Sequence, residues 1–441
     1  MPNRSLVAAT ALVVTAWACS ADTSYVERPG SSLAAPAAGG FENPDDLRVC
    51  LESGGSRAVT HVLTRQAHID ELEGCELIDG SLDVASTDGT DLRALRSLRE
   101  VRGRLTLGDP YTGGSPGFAS LEGLEGLRRV QGLTLAGLEA PDLTLLANLE
   151  QLDTPARQHT DDLRASLEIR GAASLVDLHG LENVRGLYSV GVYDSPRFRS
   201  LDGVRFDEDA ERLPDVYLAN SPVDDFDLVS SRTELGKLQL SALPLRDLGV
   251  VLGSIRRLRM LSLSQDRELT DAGALAQIEY LEALEVMDNP LLAALPEMPL
   301  VSELSRARIS GNSLLERAPR MPRLARLSAL EVGANPRLET LDGFGTIQEL
   351  ANGDVSQNPR LAALDLHSLA RVTGTLRITD NPQLDTSALA GVRGRIKRSG
   401  NRGDPSELSP CPWADDDECD EPPYSNACAL GTDPVCAESV E

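Results

Sequence analysis

The sequence predicts a mainly β protein built as a solenoid of about 13 stacked coils, and three sets of recurring residues carry that reading. Asn289, Asn312, Asn335, Asn358 and Asn381 recur every 23 residues. Leu292, Leu315, Leu338, Leu361 and Leu384 each follow by three positions, and Leu269 continues that column upstream. Leu235, Leu258, Leu281, Leu304, Leu327 and Leu350 form a further column, eight residues ahead of the asparagine grid. A fixed period held over more than a hundred residues means equivalent coils. No coil can bury its apolar edge alone, so each must lie on its neighbour.

Taken in order, the chain opens with an export signal over residues 1–18. Arg4 supplies positive charge, Leu6 to Val14 an apolar run, and Ala16-Trp17-Ala18 a small-residue cleavage pattern. The apolar run is short for a bilayer span, and no later segment reaches that length. Of seven cysteines, Cys19 falls directly after the cleavage pattern. The other six are Cys50, Cys75, Cys411, Cys419, Cys428 and Cys436, an even number suited to disulfides in an oxidising compartment. Residues 19–45 are rich in Ser, Ala, Pro and Gly and read as a flexible tether.

Residues 46–401 form the solenoid. Its strands read apolar-x-apolar: Leu82/Val84, Leu105/Leu107, Leu133/Leu135, Leu167/Ile169, Val190/Val192, Val216/Leu218, Leu238/Leu240, Leu261/Leu263, Leu284/Val286, Ala307/Ile309, Leu330/Val332, Gly353/Val355 and Leu376/Ile378. Period-2 alternation turns both outer residues inward and the middle one to solvent. The solvent row expected is Asp83, Thr106, Thr134, Glu168, Gly191, Tyr217, Gln239, Ser262, Glu285, Arg308, Glu331, Asp354 and Arg377. Strand spacing gives a rod about 60 Å long. Turns of the Asn-Pro type are expected after most strands, where proline ends the ladder and fixes the bend. The asparagines are expected to be structural, because one side-chain amide supplies both a donor and an acceptor to stacked turns.

Composition narrows the partners. Apolar residues make up 41% and aromatics 3%, so aliphatic side chains fill the core. A net charge of −26 argues against nucleic acid or an anionic membrane surface as partner. Only Lys237 and Lys397 among the 42 basic residues are lysine, and the arginines read as scattered.

The segment around Cys19 resembles a bacterial lipoprotein box. That resemblance implies a lipidated Cys19 as the new N-terminus, holding the protein to the membrane through its lipid alone. The alternative is cleavage at Ala18 with a free thiol, which would leave a secreted protein.

The repeats themselves resemble the receptor L-domain, a leucine-rich-repeat-like, right-handed β-helix found in insulin-receptor and epidermal-growth-factor-receptor ectodomains. The carrying residues are the run Leu72 to Val84, then Leu98 to Leu107, with a Val-x-Gly-x-Leu-x-apolar signature that returns at Val372-Thr373-Gly374-Thr375-Leu376-Arg377-Ile378. The likeness covers roughly residues 48 to 401 and weakens near 185–235, where the period slips and two units could join. It implies a Cys50–Cys75 disulfide clipping a cap over the first coil. Closing a loop of about 26 residues is worth roughly 3 kcal/mol in the chain-entropy model. It also implies ligand or partner binding.

Residues 402–441 form a separate acidic, cysteine-rich module. Counted from Asn401 onward, eleven acidic residues stand against one arginine. Cys411, Cys419, Cys428 and Cys436 allow two disulfides in three connectivities. The acid-rich run is faintly similar to the Lin-Notch repeat. That similarity implies calcium held by Asp415, Asp417, Asp420 and Asp433, the hard oxygen ligands this ion takes. The other reading is a solvated acidic cap over the open end of the solenoid.

No other cofactor is indicated. Arg402-Gly403-Asp404 matches an integrin-recognition tripeptide that chance also produces. His61, His68, His159, His179 and His367 are dispersed, without zinc-helix spacing. There is no phosphate loop and no Gly-x-Ser-x-Gly turn. The expectation is a non-enzymatic cell-envelope lipoprotein whose solenoid surface binds a protein or surface polymer. The alternatives are a β-helix enzyme acting on polysaccharide, for which Glu331 and Asp354 would be neighbouring acids, and a purely structural spacer.

Overall fold

The computed structural model describes residues 47–51, 59–85, 90–111, 117–152, 166–207, 213–389 and 391–402. Among the described residues fifteen strands lie in one parallel succession, which makes fourteen turns of solenoid. It begins at Thr60–Leu63, paired with Ser81–Val84, and runs through Glu100–Leu107, Arg129–Ala136 and Leu167–Arg170. Ser189–Tyr193, Asp215–Ala219, Glu234–Ser241 and Arg257–Ser264 continue it. Tyr280–Met287, Glu303–Ser310, Arg326–Gly333, Glu349–Ser356, Arg371–Thr379 and Arg393–Ser399 complete it. The 13 expected strands are all present, with Thr60–Leu63 added before them and Arg393–Ser399 after. Pairing is unbroken across 185–235, where successive strands are spaced unevenly.

The leucine columns point inward. Leu292, Leu315 and Leu338 are fully buried, and Leu235 through Leu350 are at most 3% exposed. Burying a leucine is worth roughly 1.5–3 kcal/mol, and each coil contributes several, so the stack is held mainly by this aliphatic column.

The glycine of the Val-x-Gly-x-Leu signature marks a corner. Register shifts between Val101 and Arg104, so one strand bends around Gly103 and serves two faces. A Cβ at Gly103 would come within 2.6 Å of the Ser81 backbone. Only glycine lets the coils approach this closely.

Each coil closes with the same turn. The residue after the strand is left-handed in thirteen coils, from Gly108 to Gly400, with φ between 47° and 79°. Glycine fills it at Gly311, aspartate at Asp288 and Asp380, and alanine at Ala242 and Ala334. In the coils from Asp288 to Asp380 the next residue is the asparagine, whose carbonyl accepts the N–H three residues on, as in Leu361 to Asn358 at 3.0 Å. Proline at the following position pre-sets this turn at Pro290, Pro336, Pro359 and Pro382.

The asparagine side chains join the coils. Asn335 Oδ1 accepts the Asn312 backbone N–H at 3.1 Å and the Asn312 amide at 3.2 Å. Its Nδ2 donates to the Ile309 and Gly333 carbonyls, both at 3.0 Å, and to Asn358 Oδ1 at 3.2 Å. The same set recurs at Asn312, Asn358 and Asn381, and Asn401 ends the series. All are fully buried.

Upstream the ladder changes composition. Asp266 takes the asparagine place: its Oδ1 accepts the Leu243 N–H at 2.9 Å, and its own N–H donates to Asn289 Oδ1. Its Oδ2 is buried without a hydrogen-bond partner. Ser221 and Ser195 hold the equivalent position further back. Their hydroxyls accept the N–H groups of Ser195 and Ala172 at 3.1 and 3.3 Å.

The N-terminal end is closed by Cys50–Cys75, with Cα atoms 5.7 Å apart, and by the strand Val49–Leu51 beside Leu77–Ile78. The short helix Gln66–Asp70 adds Ile69 to the core. Among the described residues no helix is long and apolar enough to cross a membrane.

Candidate functional site

The parallel strands place their middle residues in one register row. It runs from Val62 through Asp83, Thr106, Thr134 and Glu168 to Arg308, Glu331, Asp354, Arg377 and Lys397. The row is therefore two residues longer than the alternation predicts. It also divides into two stretches with different exposure.

In the first stretch most of the middle residues from Thr106 to Glu285 are covered, contrary to the expectation from alternation. Thr106, Thr134, Glu168, Tyr217, Ser262 and Glu285 are all buried. Longer side chains on the same face lie over several of them. Arg104 Nη1 donates to Thr134 Oγ1 at 2.9 Å. Arg170 is bonded to Glu168, and its guanidinium lies 4.0 Å from the centre of the Tyr193 ring. Burial, with the Glu168 charge adding to it, pushes the Tyr193 hydroxyl up to about 12. Tyr193 is thus a neutral stacking platform at any ordinary pH. The Tyr217 hydroxyl donates to Asp215 at 3.3 Å.

In the second stretch the row is open and mixed in charge, with two adjacent acids between basic residues. Arg308 Nε lies 2.9 Å from Glu331 Oε1, and Arg377 Nε lies 3.9 Å from Asp354 Oδ2. These four side chains are 39–55% exposed, so the pairs are solvated and add little stability. A shallow cavity of about 480 Å³ opens beside them. Arg306, Glu331, Asn352, Asp354, Thr375 and Arg377 line it, and Gly333 and Ala329 leave the space. Glu331 and Asp354 are register neighbours, as their spacing suggests, and each faces its own arginine.

A second cavity of about 720 Å³ lies where the period slips. Arg185, Arg205, Arg232 and Phe206 line it with Glu182 and Asp207. The Arg232 guanidinium is 5.6 Å from the Phe206 ring centre.

The opposite corner of the coils carries a column of acids. Asp91, Asp142, Asp177, Asp225, Asp247, Asp271 and Asp385 each accept the N–H two residues on, at 2.7–3.0 Å. These bonds cap short helical corners, as aspartate does at turns. The bonds to Arg93 draw the Asp91 carboxyl down to about 2. Bonding to Asp177 raises the His179 pKa, and His367 Nδ1 contacts Asp365. His61 Nε2 lies 3.1 Å from the Asp79 carbonyl. His61, His179 and His367 therefore have local structural partners. Among the described residues no group of three or more His, Cys, Asp or Glu side chains is placed to hold a metal.

Several sequence-derived positions lie outside the described residues. They are Cys19, the four cysteines Cys411, Cys419, Cys428 and Cys436, the carboxylates Asp415, Asp417, Asp420 and Asp433, and His159. Arg402 is described and exposed, and its N–H donates to the Leu384 carbonyl at 3.1 Å. Gly403 and Asp404 are outside.

Sequence reasoning missed the covering arginines and Tyr193, because nothing local to Glu168 or Thr134 announces them. It also missed the serine continuation of the ladder. A column drawn back from Asn289 through Asp266 reaches Leu243, and the period slip hides Ser221 and Ser195.

No protein-family model matches the chain, and no curated protein matches it. Among solved structures the chain is similar to an internalin (inlF) from Listeria monocytogenes str. 4b F2365. Identity is 15%, the match covers 69% of this chain and 87% of that chain, and the TM-score is 0.34.

Proposed function

We propose that the protein is a non-enzymatic component of the cell envelope whose solenoid face binds a protein or a surface polymer. The observation that carries this reading is the division of labour along the strands. Inward positions repeat aliphatic residues, while the open stretch from Arg308 to Arg377 varies in charge and borders a cavity. Solenoids present such faces as extended binding surfaces. Arg308, Asp354 and Arg377 are the residues that would read a partner by charge. The Val-x-Gly-x-Leu corner supports the likeness to receptor L-domains, whose usual role is also binding. Export with lipid on Cys19 belongs to the same proposal, and the mass of the mature N-terminus tests that part.

The binding reading is tested on an array of surface polysaccharides and extracellular protein segments. An Arg308→Glu/Arg377→Glu variant should lose at least about tenfold in binding. Val176→Ser, away from the face, should bind as the parent does. Equal loss from both variants, or none from either, removes the face from the account. Release of reducing ends from a polysaccharide panel would favour the enzyme alternative over binding.

A further inference from the structure

The last coil reverses the charge of the molecule. Strand Arg393–Ser399 carries Arg393, Arg395, Lys397 and Arg398 within seven residues, and Arg402 follows. No acidic residue lies between Asp385 and Asp404. This stands in a chain of net charge −26, whose arginines read as scattered along the sequence. Arg393, Arg395 and Arg402 are exposed, and Ile396 is half-buried against the core.

The two ends of the solenoid also differ in how they finish. The first coil is closed by the Cys50–Cys75 bond and the strand Val49–Leu51. The last strand pairs with Arg371–Thr379, its one partner strand among the described residues. An outer edge of this kind is a template for further association unless something covers or charges it.

The chain that follows Arg402 has the complementary composition. Residues 403–441 hold eleven acidic residues and no basic one. We propose that this acidic cysteine segment lies on the basic outer face of the coil at Arg393–Ser399 and closes the solenoid there. Covalent continuity favours this occupant, because a directly attached segment acts at roughly millimolar effective concentration. A second copy is disfavoured, since two such ends would set one basic cluster against another. A free polyanion would have to displace the attached one.

The sequence supplies an unusually clean reporter. Lys397 lies on this strand, and Lys237 is the only other lysine in the chain. Zero-length carbodiimide coupling of the full-length protein, read by peptide mass, should join Lys397 to a carboxylate within 404–441 of the same molecule. The yield should fall about fivefold at roughly 0.5 M salt, where exposed charges are screened. It should fall similarly in an Arg393→Gln/Arg395→Gln/Arg402→Gln variant, which keeps the reporter and changes only exposed side chains of the last coil. Lys237 should give no such product. Coupling of Lys397 between two molecules would identify a second copy as the occupant and overturn the proposal. So would coupling only to solenoid carboxylates such as Asp354 or Asp380. An undiminished yield in the triple variant would show that tethering alone brings the groups together, and would overturn it as well.

Discussion

Two parts of the stack solve one problem with different side chains. Between Ala172 and Ser221 the coils are linked by serine, and between Asn289 and Asn401 by asparagine. The Ser195 hydroxyl accepts one N–H from the coil before and donates its single proton to the Tyr193 carbonyl at 2.9 Å. Asn335 performs both tasks, then reaches the Ile309 carbonyl and the next asparagine. The second donor proton makes the difference. The strength of coupling between coils is therefore set by one buried position. Coil length matters less, because Asn381 and Asn401 make the full set of bonds across a step of only 20 residues.

Asp266 stands at the upstream end of the asparagine series and is its weakest member at neutral pH. Burial pushes its carboxyl up to about 7, against the opposing pull of the Leu243 N–H. The unfolded carboxyl ionises near 3.8, so the folded protein holds a proton that the unfolded chain releases between those values. The contribution of Asp266 to stability is therefore fullest below about pH 4, falls as pH rises towards 7, and is flat above. Asp266→Asn supplies the missing donor and removes the charge. It should stabilise the protein at pH 8 by at most about 4 kcal/mol and abolish that slope. Urea denaturation at pH 5 and pH 8 measures both; an unchanged slope in the variant would remove Asp266 from the account.

Within the asparagine series, Asn335→Ala should cost about 3 kcal/mol, because it leaves the Asn312 N–H and the Ile309 carbonyl buried and unpaired. In the serine series, Ser195→Ala should cost only about 1 kcal/mol. Denaturation midpoints of the two variants compare the regions directly, and equal costs would break the comparison. The smallest effect is expected at the left-handed turn. Ala334→Gly relieves a φ of 53° and should stabilise by about 1 kcal/mol. Gly311→Ala should destabilise, because its Cβ would meet Asp288 Oδ1 at 1.9 Å.

Much of this architecture was legible in the sequence. The asparagine and leucine columns located the coils, since both residue types are demanded by burial. The apolar-x-apolar pairs located the 13 inner strands. The outermost strands escaped that pattern for a physical reason: a terminal coil packs on one side only. Thr60–Leu63 turns His61 inward opposite Leu82, and Arg393–Ser399 turns Ile396 and Arg398 inward opposite Leu376 and Ile378. The left-handed position was hidden because Gly, Asp, Asn, Gln and Ala all occupy it. The solvent row was read correctly in order, and its exposure was misread mainly between Thr106 and Glu285. Arg104 covers Thr134 from 30 residues away, a distance only the stacked coils make short. The charge of the last coil was hidden by counting arginines along the whole chain instead of coil by coil.

Amide hydrogen exchange in Asn335→Ala tests the buried ladder most directly. The Asn312 amide, which donates to Asn335 Oδ1, should lose about a hundredfold in protection, while the Asn358 amide, which donates to Asn381, should keep its own. Unchanged protection at Asn312, or equal loss at both amides, would contradict coils joined one to the next through these side chains.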